Sequence, residues 1–197
     1  MRPLLYLVLF ILCFTSTVLG QEPPTSIPVP EKIKGVDENC YYKEKYSAAK
    51  RRSFYPFSVS DSIVLVSFRH HYEDYPVKGS SVIIDSLIEI RHLNTQEVDH
   101  FTDILYNNFY IKPDNIGVLM QCYAPRNAIL FFGKNGMLKE SIVICFHCSR
   151  YEPSSGRYGL FGDDCDQKLD KIRAFFLAMD VKFGTDKRIE AYPGETF

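Results

Sequence analysis

Cys145-Phe146-His147-Cys148 is the densest group of chemically versatile side chains in the sequence. Two thiols three residues apart with an imidazole between them admit a redox disulfide, a metal site, or a nucleophilic thiol served by a histidine. A redox C-x-x-C belongs at a helix N-terminus, where backbone donors depress the thiol pKa. Here the motif follows a β-rich run and precedes a Gly/Ser loop, which counts against a thioredoxin-like role. A zinc site would draw on Cys122, Cys145, Cys148 and Cys165, with His147 in place of one, but the second closely spaced pair of a zinc knuckle is missing. A c-type haem site needs a histidine directly after the second cysteine, and Ser149 stands there. The nucleophilic reading takes Cys145 as the attacking thiol, with His147 two residues along the same strand face and Arg126 stabilising an anion. The plainest reading is structural, with Cys122, Cys145, Cys148 and Cys165 as disulfide candidates. Residues three apart on a regular strand point to opposite faces, so a bridge inside Cys145–Cys148 requires a sharp turn within the motif. Cys122 on the inward face of a neighbouring strand, and Cys165 on the apolar face of a helix, are easier partners in space. Cys40 is then the odd cysteine.

The compartment follows from the first segment. Residues 1–20 read as a secretory leader: Arg2 is the positive start, Leu4 to Phe14 is a nearly unbroken apolar run, and Val18 and Gly20 take the −3 and −1 positions of a cleavage site before Gln21. That run is too short to span a bilayer of roughly 30 Å as a helix. Removing 20 of 197 residues leaves 177, and losing Cys13 takes the cysteines from 6 to 5. An exported chain, periplasmic or extracellular, meets an oxidising environment in which thiols pair, and an odd count leaves one over. No later stretch is apolar enough to span a membrane, so no membrane span is expected after leader cleavage. With 23 Lys plus Arg against 24 Asp plus Glu, the charge gives no footprint for nucleic acid.

Residues 21–35, with Pro23, Pro24, Pro28 and Pro30, read as a Pro-rich spacer, leaving 36–197 as a single globular domain. Asp37 to Ala49 is a weak helical pattern followed by Lys50-Arg51-Arg52, a run that suits a solvated surface. Ser62 to His70 and Ser81 to His92 are rich in β-branched residues and read as strands. Asn94 with Glu97 forms a capping-box pattern, and Val98, Phe101, Leu105 and Phe109 recur on one helical face, with Pro113 beyond. Ile116 to Tyr123, Ala128 to Phe132 and Glu140 to Phe146 read as strands, the last two joined by a hairpin at Asn135-Gly136. A loop is expected over 149–162. The final helix is expected from a cap at Asp164, with Leu169, Ile172, Phe176 and Met179 inward and Gly184 as terminator. The order of elements is not a βαβ alternation. It predicts an α+β fold, a mostly antiparallel sheet with two or three helices packed on it.

Other candidates are weaker. His70-His71 with Glu73 and Asp74 fits no metal-ligand spacing and reads as the start of a surface loop, while His92 and His100 read as capping or surface residues. No nucleophile elbow, H-E-x-x-H, phosphate loop or EF-hand loop occurs. No cofactor is expected. Tyr151, Tyr158 and Phe161 offer either a contact surface or side chains folded back on the core.

The stretch Cys122-Tyr123-Ala124-Pro125-Arg126-Asn127-Ala128-Ile129, with Ile144-Cys145-Phe146-His147-Cys148 downstream, resembles a pattern of uncharacterised exported bacterial proteins, C-x-x-P-R-x-x-I followed by I-C-F-x-C and an amphipathic helix. The resemblance covers roughly residues 82–184 and implies a shared fold with shared roles for Cys122, Pro125, Arg126, Cys145 and Cys148. It implies no activity. The expectation is therefore an exported non-catalytic domain that binds or organises a partner, a protein being the candidate, with a thiol-dependent enzyme or metal-binding protein centred on C-F-H-C as the alternative.

Overall fold

The computed structural model describes residues 40–70, 76–110, 123–157, 159–163, 165, 167–186, 192–193 and 195. Its centre is a five-stranded antiparallel sheet. Strand β2 (Ser62–Phe68) pairs on one side with β5 (Leu87–His92) and on the other with β7 (Asn127–Phe132). Strand β8 (Leu138–Cys145) follows β7 through the Asn135-Gly136 turn, and β9 (Arg150–Pro153) closes the far edge. Gly136 sits at φ 70°, the left-handed region that a tight hairpin demands. Two short pairs stand apart from this sheet: β1 (Cys40–Tyr42) with β6 (Asn108–Tyr110), and β3 (Val77–Lys78) with β4 (Ser81–Val82).

Strand alternation divides the apolar residues between two faces. Ile63, Leu65, Ile129, Phe131, Ile142 and Ile144 point one way and are buried against the helices α2 (Thr95–Tyr106) and α3 (Lys168–Ala178), which supply Phe101, Leu105, Ile172, Phe175 and Phe176. Phe101 stacks on Phe175 at 4.9 Å between ring centroids. Val64, Val66, Phe68, Ala128, Leu130 and Val143 point the other way, and among the described residues Val77 and Val82 of the β3–β4 segment pack against them together with Leu87, Phe132 and Leu138. The fold is α+β, as the order of elements predicts.

Helix α2 starts where its capping box lies. The Asn94 side chain accepts from the Glu97 amide at 2.9 Å, and Glu97 accepts from the Asn94 amide at 2.8 Å. Its far end is capped from another element: the buried Lys168 ammonium donates to the carbonyls of Leu105, Asn108 and Phe161. A cation at a helix C-terminus meets the negative end of the dipole and satisfies carbonyls that the helix leaves open.

Several expectations are corrected. The Asp37–Ala49 helix is replaced by β1 and a short helix, α1 (Ala48–Arg52), capped by Ser47. Arg51 in the basic cluster is buried, not solvated. Its guanidinium donates to Thr102 Oγ1, Tyr46 O and Asp99 O and lies 3.3 Å from Asp103, tying α1 to α2. The Ser81–His92 run is broken by a 3₁₀ turn at Ile84–Ser86, and part of the 149–162 loop is the edge strand β9. Phe109 lies in β6, beyond the end of α2. Helix α3 begins at Lys168 with no side-chain cap, and it ends at Ala178 before Asp180 at φ 66°, so Gly184 is not its terminator. Gly184, at φ 74°, lies so close to Arg126 and Asn127 that any Cβ there would collide with both. His70 is buried, and His100 is half-buried with its ring 5.7 Å from that of Phe175, where burial pushes its pKa down. The leader, the Pro-rich spacer, His71, Glu73, Asp74, Pro113, the Ile116–Cys122 part of the expected strand, Tyr158 and Asp164 lie outside the described residues.

Candidate functional site

Strand β8 ends at Cys145, and residues 146–149 turn the chain straight into β9, with Cys145 opposite Arg150. Ser149 takes φ 50° to close this turn. The turn is the sharp reversal that a bridge within the motif requires, and Cys145 and Cys148 are joined as a disulfide with Cα atoms 5.3 Å apart. The Cys148 amide points at Cys145 Sγ at 3.3 Å, and both sulfurs are buried. His147 is not on the strand. The turn nevertheless brings its Nδ1 to 3.9 Å from Cys145 Sγ and 3.5 Å from Cys148 Sγ, with the residue half-exposed.

The other bridge corrects the expected partners of Cys165. It joins Cys40, at the start of β1, rather than the cysteines of the C-F-H-C turn. The reason is the β1–β6 pair. Lys168 draws the segment before α3 onto the Leu105 and Asn108 carbonyls, and β1 lies beside Asn108. Cys122 lies outside the described residues.

Arg126 sits in the chain immediately before β7, and its amide donates to the Ile144 carbonyl. Its guanidinium is buried, and it grips the Glu195 carboxylate with Nε at 2.8 Å from Oε1 and a second nitrogen 2.8 Å from Oε2. Glu195 also accepts from the amides of His70 at 3.0 Å and Tyr192 at 2.7 Å. The Tyr192 ring lies under the guanidinium at 4.8 Å and against Phe183 at 4.5 Å. Burial alone would raise the Glu195 pKa, but the Arg126 and amide donors outweigh it and hold the carboxyl below its ordinary range. The structure therefore gives Arg126 an internal anion. It ties the C-terminal segment to the sheet, and that carboxylate occupies the guanidinium which the nucleophilic reading needs for a substrate.

A second carboxylate is held in the same way. Glu140 is buried and accepts from Tyr55 Oη at 2.8 Å, the Ser141 amide at 3.0 Å, the Ser155 amide at 3.2 Å and the Ser154 hydroxyl. These donors overcome its desolvation and lower its pKa. The Arg51, Lys168 and Glu140 networks gave no signal in the sequence, because each is completed by residues far away in the chain. Tyr151 and Phe161 fold back on each other with centroids 4.3 Å apart, and Phe161 is fully buried.

The remaining feature is a cleft of about 550 Å³ on the second face of the sheet. Its floor is Val64, Val66, Leu130 and Phe132, and its rim carries Ile90 and Met137. Ile84, Ile90 and Met137 are 70%, 53% and 55% exposed, so this apolar surface is open. Strand β5 beside it forms one edge of the sheet and pairs only with β2 among the described residues. The chain matches no protein-family model, and neither the curated proteins nor the solved structures give a match. Fold and site define an α+β domain with two disulfides, an internal arginine–carboxylate clasp and an open apolar cleft.

Proposed function

We propose that the protein is an exported, non-catalytic binding domain that receives an extended apolar segment of a protein partner along β5 and over the adjoining cleft. The observation that carries this reading is the open cleft beside a strand edge that has no partner strand among the described residues. A strand added at such an edge gains main-chain hydrogen bonds, and alternate side chains fill the neighbouring pocket. Ile88 and Ile90 lie two residues apart and share a face, and both are exposed. The catalytic alternative is less well supported, because Cys145 is bonded to Cys148 and Arg126 is engaged by Glu195. Export is supported by the leader pattern of residues 1–20 and by two disulfides, which persist in oxidising compartments. The resemblance to exported bacterial proteins agrees with that reading. Among the described residues no helix is long and apolar enough to cross a membrane.

The test is a peptide-library selection against the folded protein, followed by amide-shift mapping of the best binder. Shifts should concentrate in Leu87–His92 and around Met137. Ile90→Lys, at an exposed site, should weaken binding at least about tenfold without lowering thermal stability. A binder mapping elsewhere, or one indifferent to Ile90→Lys, would refute the reading.

A further inference from the structure

The C-F-H-C turn holds a group that the binding cleft does not use. The ligand atoms of Cys145, His147 and Cys148 all lie within 4.8 Å of one another. We propose that, when the Cys145–Cys148 disulfide is reduced, these three side chains form a binding site for a single Cu(I) ion, so that the turn alternates between a closed disulfide and a loaded metal site.

The donor set favours this ion. Two thiolates and one imidazole are soft to intermediate ligands, the types that select Cu(I) and zinc over hard cations. Zinc settles four-coordinate, and the described residues supply three ligands in this group. Cu(I) is satisfied by two or three. Both cysteines are withdrawn from water, at 1% and 4% exposure, whereas the residue that completes the set, His147, is half-exposed and able to meet an incoming ion. A buried thiolate pair also protects Cu(I) from solvent oxidants. The backbone needs no new fold to present the ligands, because the 146–149 turn already gathers them.

The chemistry balances with one co-reactant, a dithiol reductant. It gives two electrons and two protons to the Cys145–Cys148 bond, breaking it to two thiols, and leaves as its own disulfide. Coordination of Cu(I) then releases both thiol protons and makes two Cu–S bonds and one Cu–N bond at His147 Nδ1. In the oxidised state neither sulfur is a thiolate, and the site takes no ion.

The test is an anaerobic titration with Cu(I), against a chromophoric bicinchoninate competitor, of desalted Cys40→Ser/Cys165→Ser protein that a dithiol has pre-reduced, so that Cys145–Cys148 is the bridge opened. The expected result is about one ion withdrawn per chain, none by the oxidised protein, and none by Cys145→Ser/Cys148→Ser. His147→Ala should weaken uptake at least about tenfold, and Cys122→Ser should leave it unchanged. The oxidised wild type serves as the folded control should a variant fail to fold. Uptake that persists in the oxidised protein, is lost in Cys122→Ser, or is insensitive to His147→Ala overturns the three-ligand site. Retention of Zn(II) in preference to Cu(I) overturns the choice of ion.

Discussion

Arg126 and Glu195, 69 residues apart in sequence, form a two-pronged ion pair with both side chains sealed from solvent. Two backbone amides supply the remaining donors to the carboxylate, Tyr192 covers the guanidinium, and Gly184 is packed against the arginine stem. Removing one partner leaves the other as an unpaired buried charge, which typically costs about 3–5 kcal/mol.

Glu195→Gln should therefore lower unfolding stability in urea by roughly that amount at pH 7. The pH dependence has a definite sign. The Glu195 pKa is depressed in the fold, so its contribution is complete above the unfolded glutamate pKa and is lost as the pH falls through the folded one. Wild type should lose stability on acidification below the ordinary glutamate range, and Glu195→Gln should lose less. Glu140, depressed by its own donors, leaves a residual acid sensitivity in that variant. Equal acid slopes in the two proteins would exclude Glu195 as a contributor.

The Cys40–Cys165 bridge closes a separation of 125 residues, whereas Cys145–Cys148 closes a separation of 3. If disulfides act mainly by restricting the unfolded chain, the long one dominates. Cys40→Ser/Cys165→Ser should cost roughly 2–5 kcal/mol by urea unfolding, and Cys145→Ser/Cys148→Ser clearly less.

Lys168→Met keeps most of the length of the side chain and removes the ammonium that donates to three carbonyls. Each unpaired buried carbonyl is worth about 1–3 kcal/mol, partly recovered by relaxation, and a net loss of about 3 kcal/mol is expected. Hydrogen exchange should accelerate first in the last turn of α2. Unchanged protection there would mean that Lys168 does not cap that helix.

If the leader reading holds, mass mapping of the protein produced in an export-competent host, under alkylating, non-reducing conditions, should return an N-terminus at Gln21, two linked pairs and one alkylated cysteine, Cys122. An intact Leu4–Phe14 segment would exclude leader cleavage.

The parts of the fold that were legible in the sequence are those settled by neighbours in the chain. The β-branched run of β2, the Asn94–Glu97 box and the Asn135-Gly136 hairpin each need only a few adjacent residues to specify them. Strand β9 was not legible because Arg150–Pro153 lacks an apolar alternation and becomes a strand only by pairing with β8. Arg51 reads as a surface charge until Thr102 and Asp103 arrive from α2. The same limit governs the site. The type and spacing of Cys145, His147 and Cys148 singled out the motif but placed His147 on the strand rather than in a turn, and the partners of Cys165 and Arg126 lie 125 and 69 residues away, where no local pattern announces them.

The bridge between Cys40 and Cys165 also makes most of the chain a closed ring. A protease that cuts once anywhere between those two residues yields no separate fragments, only a nicked molecule of unchanged mass apart from one water. Such a nick would pass unseen on a non-reducing gel and appear as two bands once thiols are added, so a sample that looks whole without reduction is not thereby shown to be uncut.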